Sequence, residues 1–241
     1  MLPRATELDR LSPYLLIWHA FDHAAKTELF STAVVTDHGT IVIDPIALGA
    51  IAEQELNGCG PIQSIIVTNV NHVRAAISFH QRYAAPIFAA VELSKELPSA
   101  QAVYHGTAIH NLRIIGLDGA AGGEIAIHDP RDRGSVIVGD ALINFDPYGF
   151  AVLPKKYCLN QKEMIRCLHR LLDLKFQRLL FAHGIPITTC APERRCESWR
   201  RYKPRSTRTS HRSLPSRPHK CPNWRSPHPP ACAAAIPRRS A

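Results

Sequence analysis

Long apolar runs are missing from this 241-residue chain, and so are closely paired cysteines. The apolar stretch "YLLIWHAF" is too short to span a bilayer and follows Arg4, Glu7, Asp9 and Arg10, the wrong flank for a secretory signal. The seven cysteines include no Cys-x-x-Cys pair, which argues against a disulfide framework or a zinc knuckle and for a reducing, cytoplasmic setting. No internal repeat is present.

Positive charge is also missing from most of the chain, despite a formal net charge of +9. From Cys190 onward there are 13 Lys+Arg against 2 Asp+Glu, so residues 1–189 hold 29 − 13 = 16 basic and 20 − 2 = 18 acidic groups, a net of −2. The last stretch in turn lacks core-forming residues: among Val, Ile, Leu, Met and Phe it has only Leu214 and Ile236. A segment so poor in apolar side chains cannot offset its ordering entropy, which predicts a disordered tail over 190–241. The abrupt enrichment in Arg, Pro, Ser, Cys and His resembles translation in a shifted reading frame. A basic tail of this kind could bind nucleic acid through phosphates, though Trp199, Tyr202 and Trp224 are its only aromatics for stacking.

What is there, over residues 1–189, is alternation. "YLLIW" and "LFSTAVVTDHGTIVIDP" read as strands joined by an Asp37-His38-Gly39 turn. "ALGAIAEQELNG" reads as a helix ended by Gly58, and "IQSIIVT" as a strand buried on both faces. A helix from about Val73 to Tyr83 and a strand at "APIFAA" complete a parallel strand–helix–strand unit. Further strands fit "NLRIIGL", "GEIAIHD", "GSVIVGD" and "RLLFA". The helix at 160–174 carries an Asn160/Glu163 capping box and an apolar stripe of Met164, Cys167, Leu168, Leu171 and Leu172. The order predicts a layered α/β sandwich.

Three loops follow apolar strands and carry the chemistry: Asn69–Arg74, Gly139-Asp140, and His183-Gly184. Sites in such sheets gather where strands end. Asn69, Asn71, His72 and Arg74 are candidate ligand-binding residues, with Lys155, Lys156 and Tyr157 as a further patch. Asp140 and His183 are the candidate catalytic pair. Each also has a plain structural use, Asp140 as a turn cap and His183 as a loop histidine. His19 and His23 stand four apart without a neighbouring glutamate, so a zinc helix there is not supported.

The order and spacing of these segments resemble the metallo-β-lactamase superfamily over about residues 12–188. Asp44 matches its sheet-edge aspartate, Thr68-Asn69-Val70-Asn71-His72-Val73-Arg74 its Thr-His-x-His-x-Asp-His motif, Gly139-Asp140 its metal-bridging aspartate and His183-Gly184 its last histidine. The resemblance implies a four-layer αββα sandwich of the α/β (α+β) class. Of the seven usual ligand positions only Asp140 and His183 are kept; Asn69, Asn71, Val73, Arg74 and Ala120 occupy the others. Amides are poor zinc donors, Val and Ala are none, and a fixed guanidinium beside a divalent ion costs roughly 4 kcal/mol per charge pair at an effective dielectric near 20. His72 falls at a spacer position, which suggests a surface or hinge residue. The turn also resembles a degenerate branch of the superfamily that carries Thr-Asn-x-Asn-His-x-Arg-Ala.

The expectation is a protein without the two-metal site, its Arg74 paired with Asp140 in place of zinc, serving as a non-catalytic or small-anion-binding domain with no cofactor and no membrane partner. The alternative is a hydrolase with one zinc or other divalent ion on Asp140, His183 and His72, Arg74 swung aside. Nucleic-acid binding through the tail is a second alternative.

Overall fold

The computed structural model describes residues 3–145 and 149–189. They belong to one compact unit, while a second unit, Pro204–Ala241, lies outside the described residues, as does the whole tail predicted over 190–241. The strands are β1 (Arg4–Ala5), β2 (Asp9–Ser12), β3 (Leu15–Asp22), β4 (Thr27–Thr36), β5 (Gly39–Ile43), β6 (Ala47–Leu48), β7 (Ile62–Val67), β8 (Ile87–Ala90) and β9 (Gln101–Val103), then β10 (Ala108–Ile109), β11 (Leu112–Gly116), β12 (Ile125–Asp129), β13 (Ser135–Val138), β14 (Leu142–Phe145), β15 (Gly149–Val152) and β16 (Arg178–Phe181). The helices are α1 (Ala50–Asn57), α2 (Ala76–Tyr83) and α3 (Gln161–Leu168).

A seven-stranded sheet runs β2-β3-β4-β5-β7-β8-β9, antiparallel as far as β5 and parallel from there. A five-stranded sheet runs β10-β11-β12-β13-β16, with only its last pair parallel. The second sheet sorts its side chains by strict alternation. Ile114, Ile125, Ile127, Ile137 and Leu180 join the core shared with the first sheet and with Ala52, Leu56, Ala76 and Phe79 of α1 and α2. Their neighbours Ile115, Ala126, Val136, Val138, Leu179 and Phe181 instead meet Met164, Cys167 and Leu168 of α3. The result is the four-layer αββα sandwich that the resemblance implied.

Two helix boundaries differ from the periodicity. The α2 helix starts at Ala76 rather than Val73, because Arg74 adopts a left-handed φ of +40° that no helix can contain. The α3 helix is capped by Asn160, whose side chain accepts from Glu163 N, but it tightens into a 3₁₀ turn at His169–Leu171. Leu171 stays buried while Leu172, predicted in the stripe, turns 41% exposed. Among the described residues no helix is long and apolar enough to cross a membrane.

Candidate metal centre

The C-terminal ends of β5, β7, β13 and β16 meet at one place. Parallel pairing of β5 with β7 and of β13 with β16 brings them there. Asp44 follows β5, Thr68 to Arg74 follow β7, Asp140 follows β13 and His183 follows β16. The residues face a cleft of about 500 Å³ that Asn71, His72, Arg74, Asp140 and His183 help to line.

Asp44 is buried at a left-handed φ of +49°, a conformation that costs free energy and marks a constrained position. Its carboxylate accepts from Thr68 N at 2.8 Å and from Thr68 Oγ1 at 2.6 Å. Burial opposes its ionisation, but the charge and hydrogen bond of His72, with Arg74 and Thr68, hold Asp44 below its ordinary value. The Thr68 hydroxyl has one proton and gives it to Asp44, so His72 Nδ1, 3.0 Å from Asp44 and 2.8 Å from Thr68 Oγ1, must carry a proton of its own. His183 Nδ1 lies 3.2 Å from the carbonyl of Glu28, which can only accept, so it too is protonated on Nδ1.

With both Nδ1 atoms committed, both Nε2 atoms turn to the same point. His72 Nε2 stands 3.3 Å from His183 Nε2 and 3.1 Å from Asp140 Oδ1, and His183 Nε2 stands 3.3 Å from that same oxygen. Three lone pairs converging at such distances repel unless a cation sits among them. A proton on His72 Nε2 meets the need, and so does a metal ion. Burial and Arg74 push the His72 imidazole down, yet Asp140 and Asp44 outweigh them and raise it to about 9. Burial, with the charges of His72 and Arg74, keeps His183 below its ordinary value and so neutral. Asp140 is held well below the carboxylate range by both imidazoles, against its burial.

These positions revise two expectations. His72 is not a surface or hinge residue: it is 1% exposed and is the hub of the cluster. Arg74 does not pair directly with Asp140. Its Nη1 donates to the carbonyls of Phe30 (2.6 Å) and Asp44 (3.2 Å), and its Nη2 to that of Ala182 (3.3 Å), so it ties three strands together beside the cleft.

The amides are equally committed. Asn69 Nδ2 donates to Glu124 Oε2 at 2.7 Å and its Oδ1 accepts from Asn71 N at 2.9 Å. Asn71 Nδ2 donates to Asp140 Oδ2 at 3.0 Å, and Ala141 N donates to Glu124 Oε1 at 3.1 Å. Burial, then the Asp140 charge, raise Glu124 to about 8 against the pull of these donors. Sequence reasoning passed over Glu124; its only signal was a lone carboxylate opening the apolar strand "EIAIH". Ala120, where the resemblance places a histidine, is buried in the apolar cluster around α3.

Lys155, Lys156 and Tyr157 form an exposed 3₁₀ turn. Tyr157 lines an adjoining lobe of the cleft with Phe21, Phe145 and Leu153; that lobe also reaches Asn71, Asp140 and His183, whereas Lys155 is not among its lining residues. A second acidic group, Asp118 with Glu163 and Cys167, lies apart, its carboxylates paired with Arg170 and Arg166.

A sequence profile described as the metallo-beta-lactamase superfamily matches residues 7–188. The chain belongs to the metallo-β-lactamase superfamily. The fold of this superfamily member is shared with an archaeal metallo-beta-lactamase superfamily protein from Sulfolobus tokodaii, at a TM-score of 0.57 and 16% identity, over 78% of this chain and 85% of that one. A metallo-beta-lactamase from Erythrobacter litoralis is similar at a TM-score of 0.60 and 16% identity, over 80% and 92%. A metallo-beta-lactamase family protein from Thermus thermophilus gives 0.60 and 16%, over 80% and 81%. Comparison with curated protein sequences gave no significant match. Identities this low carry the fold alone.

Proposed function

We propose that this superfamily member is a hydrolase that binds one divalent cation on His72, Asp140 and His183. One observation carries the reading: the three donor atoms stand 3.1, 3.3 and 3.3 Å apart, with both imidazoles tautomerically fixed to aim Nε2 inward. Ligand bonds of roughly 2.0–2.2 Å in a tetrahedral zinc site put donor atoms about 3.4 Å apart, so the donor triangle fits one face of such a site. The outer partners fit as well, since metal-binding histidines usually give their other N–H to a carboxylate or a carbonyl, as His72 does to Asp44 and His183 to Glu28.

A bound cation there supplies Lewis acidity toward a polarised carbonyl or phosphoryl group and toward water. The chain's own residues do the rest. Asp44 and Thr68 orient His72, Asn71 holds Asp140, and Arg74, fixed on three carbonyls, need not move for the cation to bind. The apolar lobe beside Tyr157 and Phe21 offers room for the uncharged part of a substrate.

Metal analysis of full-length protein purified without chelators, followed by Zn²⁺ and Mn²⁺ titration, tests this. One equivalent per chain is expected, lost in His72→Ala and Asp140→Ala and kept in Arg74→Met. Absence of binding, or two equivalents, would overturn it. A second reading keeps the site non-catalytic, with the raised His72 imidazolium as the permanent occupant of the triangle; it predicts no metal uptake.

A further inference from the structure

Beside the donor triangle, the cleft floor contains a closed ring of hydrogen bonds. It runs from Glu124 to Asn69 (2.7 Å), Asn69 to Asn71 (2.9 Å), Asn71 to Asp140 (3.0 Å), along the chain to Ala141, and back to Glu124 (3.1 Å). Two of its donors are backbone N–H groups, of Asn71 and Ala141, and cannot reverse. Asn69 must therefore turn its oxygen to Asn71 and its amide nitrogen to Glu124. Residue 124 must then accept on both terminal atoms, which an ionised glutamate does and a glutamine cannot; the two N–H donors favour that charged form against burial and the Asp140 charge. The ring packs closely against Gly139, where a Cβ would meet Glu124 Oε1 at 2.7 Å and Asn69 Nδ2 at 2.8 Å.

We infer that Glu124 is a positioning residue: by accepting at both ends it closes the ring in the one direction its backbone donors allow and, through it, presents Asp140 with Oδ1 toward the imidazoles and Oδ2 occupied. Asp140 can then serve one cation and not bridge to a second. Both amide atoms of Asn69 are already engaged within the ring. The inference rests on the one-cation reading for its consequence, while the ring itself does not.

Because direction is the issue, a swap tests it. Glu124→Gln sets two amide nitrogens against each other at the 124–69 contact, and Asn69→Asp sets two carboxylates there. The double variant restores one donor and one acceptor with the same atoms in the same places. With Co²⁺ alone as the probe on EDTA-stripped full-length protein, each single variant should bind at least roughly ten-fold more weakly, the usual scale for losing an outer partner of a ligand. The double variant should recover to within about three-fold of the original chain, at one equivalent. Equal binding in Glu124→Gln, or a double variant no better than the weaker single, overturns the inference.

Amide hydrogen exchange at Asn71 and Ala141 in metal-free protein supplies a readout independent of any metal. Protection should fall in both single variants and return in the double. If the original chain takes up no Co²⁺, the one-cation reading fails, and this exchange pattern alone then decides whether the ring has the direction assigned to it.

Discussion

The two sides of the cleft floor solve opposite problems. On one side His72, His183 and Asp140 turn three polar atoms to a shared centre, where a proton on His72 or a cation must sit among them. On the other, Glu124, Asn69, Asn71 and Ala141 pair donors with acceptors among themselves and with Asp140. Among the described residues the only buried side-chain polar atom without a partner is Thr40 Oγ1, well away from either group. One half of the floor is a hydrogen-bonded scaffold, and the other is a charge cluster whose balance turns on a single proton or cation.

The sharpest way to break this contrast is to remove the shared member. Asp140→Ala should abolish cation uptake and destabilise the metal-free protein by about 3 kcal/mol near neutral pH, because a buried imidazolium loses its partner. The effect should depend on pH. His72, raised to about 9, contributes stability that is fully present below its ordinary 6.5 and is lost as pH climbs through 9, a span of about 3 kcal/mol. Glu124 acts in the same direction, its contribution fading between 4.5 and about 8. Asp44 and Asp140, held low, contribute above the carboxylate range and lose that contribution as pH falls. Denaturant unfolding of EDTA-treated protein should thus show stability falling from roughly pH 6.5 toward 9, where His72 and Glu124 act together, and much more weakly in Asp140→Ala.

Gly139→Ala strikes both sides together. Its Cβ would lie 2.7 Å from both Glu124 Oε1 and Thr68 Oγ1, so the backbone carrying Asp140 must shift. A loss of about 2–3 kcal/mol by urea unfolding, with at least ten-fold weaker Co²⁺ binding, is expected. Arg74→Met removes three bonds to carbonyls and should cost about 2 kcal/mol while leaving cation stoichiometry at its original value. Uptake lost in that variant would tie Arg74 to the cation and not to the scaffold. Thr68→Val is the mildest: about 1 kcal/mol and roughly ten-fold in affinity, since only the hydroxyl between Asp44 and His72 goes.

Much of the architecture could be read from local pattern. The β4–β5 hairpin turns at Asp37–His38 into Gly39, whose φ of +136° suits glycine. The Asn160 cap begins α3 as its spacing predicts. Asp140 and His183 were visible as polar residues closing apolar strands. His72 was a candidate from the sequence, but its burial was not legible, because that depends on Arg74's left-handed backbone ending the turn after β7 and on partners far along the chain. The same reason hid Glu124, which reads locally as a charged strand start.

By itself the sequence determined the periodicities, the caps and the strand-end loops, because those depend on side chains within a few residues of one another. Tertiary structure alone decided which histidine faces Asp140, which carbonyls hold the Arg74 guanidinium and which way the amide ring runs. Each of those contacts joins residues brought together only when parallel strands align their ends, and a hydrogen bond's direction exists only once both partners are in place.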